Sequence, residues 1–477
     1  MSGAPDPLRR PSVLVVGGGL AGMAAAAALR AGGLHVSLYE RAKHLGGRAG
    51  SFRDPKTGRW IDFCRHVSMG CCTNFADFCR RIGVAECFHR YARLHFFSPD
   101  GTRHDLVPRG WLPAPLHLLP DLLRMGYLTR RERCAVVHAM WRLARQPAAN
   151  RPDEQTIGQW LRRQGQSDRV IDRFWATVLV SALGETVDRA SLSASRKVLV
   201  DGFLGARRAC ELHVPQCSLQ ELFDRRAAKR LGEQGVAVHR NSPVAGIEID
   251  ARRASAVVLS DGSRCESDFV VLAVPWRRIR SLFPNTPHPA VPALSGTEQI
   301  RSAPITAVHL WFDAPLTELP HAVLIGKLSQ WLFRDRTGAF SADSGSAHYH
   351  QVVISASHML GGRRRDDILA EVLRDLRSLW PSAHSARLLH WRVATRPAAV
   401  LSACPGLDDL RPGQRTPVEN LFLAGDWTAT GWPSTMEGAV RSGYLAAEAV
   451  FERLHRNARI LVPDLPRGRL ARVMLGL

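Results

Sequence analysis

Nowhere does the chain run eighteen apolar residues together, and its first ten residues carry no apolar core. Neither a membrane-spanning helix nor a secretory signal is therefore expected, and the cytoplasm is the expected compartment. Acidic side chains are in short supply: 43 Asp and Glu against 64 Lys and Arg leave a formal net charge of +21. Such an excess suits nucleic acid, anionic lipid or an acidic substrate. The arginines are spread over most of the chain with no helix-turn-helix, RNP or zinc-finger pattern beside them, which leaves nucleic-acid recognition unsupported and favours peripheral contact with an anionic membrane surface. Paired CxxC cysteines are missing too. Cys64, Cys71, Cys72, Cys79 and Cys87 crowd one region without the closely spaced pairs of a structural zinc site, so inert thiols are expected there and no metal. Internal repeats and low-complexity linkers are also lacking.

What is present is enough apolar material, 45% of 477 residues, for two or three domains with sizeable cores. After a disordered-looking start, Pro11 to Val16 is an apolar run entering GGGLAGMAAAAALRAGG, and HVSLYE follows. The pattern predicts strand, glycine turn, Ala-rich helix closed by Gly32-Gly33, then a second strand. Gly17, Gly19 and Gly22 spell GxGxxG. The first permits the turn, the second lets backbone approach a pyrophosphate, and the third lets helix and strand pack closely. Glu40, 18 residues after Gly22 at the end of the second strand, is placed to accept ribose hydroxyls. With the intervening Gly18, Leu20 and Ala21, these residues form the first half of a candidate dinucleotide site. Arg41 follows, and Gly46-Gly47-Arg48 offers close backbone approach and a cation for phosphate.

Further along, the chain changes character repeatedly. The expected organisation is a nucleotide-binding segment over 11–89 and a mostly helical, Arg-faced substrate segment over 90–211. The nucleotide domain returns over 212–284, with an amphipathic helix in SLQELFDRRAAKRLGEQG, strands in VAVHRN, VAGIEID, ASAVVLS and FVVLAVP, and a turn at Asp261-Gly262. Residues 285–412 carry AVHLWFD, QWLFRD and YHQVVISAS, expected as an antiparallel sheet of the substrate domain. The nucleotide domain closes over 413–455, and 456–477 is a basic tail. The expected fold class is α/β, with a Rossmann-like dinucleotide-binding domain and an interleaved α+β substrate domain.

The closing segment contains LFLAGDWTATGWPSTMEGAVRSG. Apolar residues ending at Gly425-Asp426 predict a strand that stops on a carboxylate placed to hydrogen-bond something polar. Pro433-Ser434-Thr435 predicts a helix start, whose unpaired N–H groups favour electron-rich oxygens. Two separated segments gripping opposite ends of one long cofactor fit FAD better than NAD.

These motifs resemble the flavin-containing amine oxidase and carotenoid desaturase superfamily. Within it, the C-terminal stretch, RPAAVLSACPGLDDLRP and LHVPQCSLQELFDRRAAKRL resemble the squalene-associated FAD-dependent desaturases, the hydroxysqualene dehydroxylases of hopanoid biosynthesis. The resemblance runs from about Pro11 to Phe451. It implies that Gly17, Gly19 and Gly22 cradle the FAD pyrophosphate, Glu40 holds the adenosine ribose, Arg48 meets phosphate and Val244 contacts the adenine side. It further implies that Asp426 binds a pyrophosphate-proximal or ribityl hydroxyl, and that the helix start at Thr435, Met436 and Ala439 faces the isoalloxazine, stabilising negative charge on the reduced flavin. One departure stands out. Where this family commonly has Asp-Asn-Gly-Gln-His, this chain has Asp62, Phe63, Cys64, Arg65 and His66, so the three middle positions differ.

The implied substrate is a thirty-carbon isoprenoid allylic alcohol. Losing its hydroxyl takes a proton, for which His66 is the candidate acid, with Glu437 as the alternative, and the resulting cation takes hydride. No second GxGxxG is present, so the electron donor is an unidentified partner. A carotenoid-type polyene desaturase, a flavin amine oxidase and a non-enzymatic isoprenoid carrier resembling the Rab escort branch are the alternatives. Five tyrosines are few for the aromatic cage of an amine oxidase, although Trp427 and Trp432 offer aromatic walls. RGWLPAPLHLLPDLLRMGYL, residues 109–128, and the tail LARVMLGL are the stretches that suit a membrane interface.

Overall fold

The computed structural model describes residues 10–146, 155–283, 292–340 and 347–476. The start before Pro11 that reads as disordered and the boundary placed between 284 and 285 lie outside the described residues. Five parallel strands make one sheet: β1 (Ser12–Val16), β2 (His35–Tyr39), β3 (Val236–His239), β4 (Phe269–Leu272) and β5 (Leu421–Leu423), in the order β3-β2-β1-β4-β5. These strands are short apolar runs because both faces are covered. Val13 and Val15 of β1 pack with helix α1 (Leu20–Ala31) and helix α2 (Met436–Arg453). Leu14 and Val16 pack instead against Ile247 and Val257 of a three-stranded antiparallel sheet, Val244–Asp250, Arg253–Leu259 and Arg264–Cys265, on the other face.

The run of alanines in α1 has a packing cause. A Cβ on Gly443 of α2 would lie 2.3 Å from the Ala21 carbonyl oxygen and 2.9 Å from the Ala25 nitrogen. The two helices thus meet at backbone distance, which only small residues allow, and Ala24, Ala25 and Ala26 are wholly buried in the seam. Close packing sets the N-termini of α1 and α2 side by side.

The second domain is floored by a seven-stranded sheet in the order Leu388–Leu401, Ser302–Phe312, His348–Ser355, Trp331–Arg334, His321–Leu324, Leu94–Phe97, Arg103–Leu106, antiparallel but for one pair. Its alternation is legible: Val352 and Ile354 face the helix Arg365–Arg377, while Val353 faces the helices of the 157–203 region. Residues 90–211 are expected as mostly helical. They open with the hairpin of Leu94–Phe97 and Arg103–Leu106, which extends the sheet, because Asp100-Gly101, with Gly101 at φ +83, supplies a tight turn between apolar runs. The basic tail differs as well. Residues 469–475 form a helix whose Ala471 and Leu475 are buried with Ala114, Ala144, Val200 and Leu204.

Candidate active site

A cavity of about 720 Å³ runs from the C-terminal ends of β1 and β2 to the mouth of the second domain. That size lies within the range of roughly 300–1,000 Å³ usual for cofactor and ligand pockets. At one end it is walled by backbone. Gly17 sits at φ +109, where a side chain would be strained and would strike the Ala273 carbonyl at 2.6 Å. Gly19 has nothing within 4 Å of its Cβ position, so the wall there is bare main chain open to the cavity. A Cβ on Gly22 would come within 1.9 Å of the Gly17 carbonyl oxygen, and one on Gly18 within 2.4 Å of Leu45. These two glycines lie behind the wall and hold the turn, whereas Gly17, Gly19, Leu20 and Ala21 line the cavity itself.

Glu40 is buried and doubly tied. Its carboxylate accepts from Gly18 N at 2.7 Å and from Ala42 N at 2.8 Å, leaving each oxygen a further lone pair toward the cavity it lines with Arg41. The Gly46-Gly47 turn closes on the first glycine loop: Gly46 N donates to Gly18 O at 2.9 Å, and both glycines have positive φ. Ser242, Pro243 and Val244 complete this end.

Arg48 and Asp426, 378 residues apart, are each other's ion-pair partner across the cavity wall, where the sequence suggested separate contacts to phosphate and to a hydroxyl. Asp426 also accepts from the Ser434 hydroxyl, and Arg411, buried, donates to Asp426 O and Thr428 O and fixes the loop. Gly425, at φ +141, gives its N–H to the Ser442 hydroxyl at 2.7 Å. Thr435 caps α2, accepting from Gly438 N, so that this eighteen-residue helix starts against the cavity with Met436 and Ala439 in its lining.

At the other end stand His66 and Arg396. His66 Nδ1 lies 2.8 Å from the Cys64 carbonyl oxygen, to which its N–H donates, so Nε2 carries no proton in the neutral ring. Burial pushes the His66 pKa below its ordinary value, and Arg396 and Arg48 add to that while Asp62 opposes it. The imidazole is thus held neutral near pH 7, against the expectation of a ready acid. The Arg396 guanidinium stacks on the Phe63 ring at 3.6 Å, with no carboxylate within ion-pair distance among the described residues. Sequence reading missed Arg396, whose place follows only from its pairing opposite Ile305 across two long strands.

Other expectations are redirected. Glu437 faces away from the cavity: wholly buried, it accepts from Asn74 N, Asn74 Nδ2, Phe75 N and Arg441 Nε, binding α2 to the chain around it. Trp427 lines the cavity, its Nε1 donating to Val274 O, but Trp432 lies elsewhere, between Arg441 and Lys197. Burial raises the thiol pKa of Cys64 to about 12, with Asp62 adding to it, and Cys71, Cys79 and Cys87 pack in apolar cores. Among the described residues no group of three His, Cys, Asp or Glu side chains is placed to hold a metal.

The model of the family described as flavin containing amine oxidoreductase matches residues 20–451. The 15-cis-phytoene desaturase of Synechococcus elongatus is 26% identical over 464 residues, covering 92% of this chain and 96% of its own. The hydroxysqualene dehydroxylase of Rhodopseudomonas palustris is 28% identical over 447 residues, covering 92% and 98%. Among solved structures, an oxidoreductase from Methanosarcina mazei superposes with a TM-score of 0.70 at 16% identity, covering 92% of this chain and all of that one. The bare glycine wall, the tied Glu40 and two helix N-termini around one long cavity fit a flavin dinucleotide, and the cofactor is FAD.

Proposed function

The chain belongs to the flavin containing amine oxidoreductase family, and we propose that it reductively removes the hydroxyl of hydroxysqualene to give squalene. The observation that carries this reading is the pairing of one neutral histidine and one uncompensated arginine at the substrate end of a cavity otherwise closed there by Ala399, Val400 and Met436. An isoprenoid alcohol has a single polar group to recognise, and this end offers it two partners amid apolar walls.

In this reading Gly17, Gly19, Leu20 and Ala21 hold the pyrophosphate, Glu40 the adenosine ribose, Ser242 to Val244 the adenine side, and Met436 with Ala439 the isoalloxazine end. Loss of the hydroxyl as water takes one proton, and the carbon it leaves takes one hydride, which reduced FAD supplies and an external donor restores. Arg396 donates a permanent hydrogen bond to the hydroxyl oxygen and stabilises negative charge as the C–O bond lengthens. His66 accepts a hydrogen bond from the hydroxyl at Nε2 when neutral, and when charged gives the leaving oxygen its proton. Because its pKa lies below the ordinary value, turnover limited by this step rises as pH falls below about 6.5.

The relative named for phytoene desaturation supports a second reading, in which the same site withdraws hydride from a polyene. No tyrosine stands beside His66 and Arg396 in the cavity lining, and Trp432 lies outside it, so an amine oxidase's aromatic cage finds no support. The deciding experiment is anaerobic. The purified protein is photoreduced, hydroxysqualene is added, and flavin reoxidation is followed while extracted lipid is identified by mass spectrometry. Squalene formed in step with reoxidation is expected; a flavin that stays reduced beside unchanged alcohol would overturn the dehydroxylase reading and favour desaturation.

A further inference from the structure

Among the described residues few large apolar side chains are exposed, and four of those few lie on neighbouring elements. Trp111 is 77% exposed, Leu123 43%, Trp141 42% and Val473 77%. They come from three distant stretches that the fold draws together. Ala114, three residues after Trp111, is buried against Ala471 and Leu475 of the C-terminal helix, and against Ala144 of the helix Arg130–Ala144 that carries Trp141. Trp141 Nε1 donates to Met474 O at 3.1 Å, which fixes Trp141 beside Val473 and satisfies its polar tip while the ring stays outside. Arg133 of the same helix donates to Leu123 O, and Arg207 donates to Gly110 O beside Trp111, which fixes both loops.

The charge around this face is one-sided. Residues 109–146 hold seven arginines against two carboxylates, Asp121 and Glu132, and residues 467–477 hold three arginines and no carboxylate. Asp121 is buried against Arg109, and Glu132 is paired with Arg169. Arg130, Arg131, Arg142 and Arg469 have no carboxylate within ion-pair distance among the described residues, so the face carries uncompensated positive charge. Directly beneath lies an apolar crevice of about 50 Å³, lined among others by Leu118, Leu122, Met125, Met140, Phe174 and Phe203.

We propose that this face, built from residues 109–124, 130–145 and 469–475, docks on an anionic bilayer: the tryptophans and Val473 enter the headgroup region and the arginines meet lipid phosphates. Exposed aromatic and aliphatic side chains ringed by arginines are what interfacial binding requires, and no helix among the described residues is long and apolar enough to cross a membrane. The docking does not rest on the proposed function.

The test keeps the two apart. FAD-loaded protein is sedimented with vesicles of phosphatidylcholine alone or mixed with phosphatidylglycerol, without substrate, and turnover is assayed separately on detergent-dispersed alcohol. Binding to the phosphatidylglycerol vesicles is expected, weakened at least tenfold in the triple variant Trp111→Ser, Trp141→Ser, Val473→Ser and again by high salt. The control Met359→Ser, exposed on another part of the surface, should bind as the parent does. Flavin content and melting temperature matched to the parent show that the triple variant is folded. Failure of the parent to sediment, equal binding by the triple variant, or a dimer in solution that the triple variant abolishes would each overturn the proposal. Docking without turnover in detergent would instead count against the dehydroxylase reading alone.

Discussion

The two ends of the long cavity are built by opposite means. The dinucleotide end is made of main chain: glycines at φ values closed to other residues, a bare wall at Gly19, and two helix starts set side by side by the Gly443 contact. The far end is made of side chains, His66 and Arg396, delivered by a loop and by the middle of a fourteen-residue strand. A backbone site tolerates almost no change at a few positions and much change elsewhere. A side-chain site can be rebuilt one residue at a time, which is how one cofactor scaffold serves different chemistries.

The sharpest way to break this contrast is Gly22→Val. Its Cβ would press on the Gly17 carbonyl oxygen, backbone against backbone, and neither can yield. Complete loss of bound flavin is expected, read from the absorbance of the purified protein. Wild-type flavin content in that variant would show that the glycine turn does not clamp the cofactor.

Next in size is Glu437→Ala. It removes the buried one of Arg441's two carboxylate partners, leaving only Asp464, and unties three N–H groups of Asn74 and Phe75, so a loss of about 3–5 kcal/mol in urea unfolding is expected. If Glu437 were the acid instead, stability would hold and turnover alone would collapse.

Arg396→Met probes the other end. Turnover should fall about a hundredfold while flavin content stays intact, with partial recovery in Arg396→Lys. Loss of flavin together with activity would erase the division between the two ends.

The smallest effect at physiological pH, growing as acid is added, concerns the substrate sheet. Burial lowers the pKa of His321 to about 4, with His95 adding to it, and burial likewise lowers that of His350 to about 4. A histidine with a depressed folded pKa contributes stability that is present above the unfolded pKa of about 6.5 and is lost as pH falls toward 4. The loss is on the order of 3 kcal/mol for each at that limit. Thermal melts from pH 7 to pH 4 should show the drop, and His350→Gln should roughly halve it. A melting temperature independent of pH across that window would remove these histidines from the account.

The contrast also explains what the sequence makes legible. GxGxxG, Glu40 and the segment from Leu421 to Gly443 can be read because a backbone device forces residue identity at fixed spacing, and GGGLAGMAAAAALRAGG needs its alanines for the helix seam. The hairpin Leu94–Phe97 and Arg103–Leu106 was obscured by its Arg-rich surroundings, although Asp100-Gly101 is a turn signal. Arg396 carries no local signal. Only the register of Ser302–Phe312 against Leu388–Leu401 brings it to the cavity, and register depends on contacts far apart in the chain. Glu437 shows the reverse error: its neighbourhood to the helix start suggested chemistry, whereas its direction on the helix serves packing.

One last feature bears on how small this enzyme can be made. Beyond Arg453 the chain adds nothing to the lining of the cavity, yet it is fastened at each step: Ile460 and Leu461 give their N–H groups to Glu448, Val462 exchanges hydrogen bonds with Asn74, and Asp464 pairs with Arg441 and Lys197. A fragment trimmed at Arg453 would keep every cavity-lining side chain while unlatching Asn74 and Arg441, two of the three residues that hold Glu437. The minimal catalytic fragment is therefore longer than the minimal list of active-site residues.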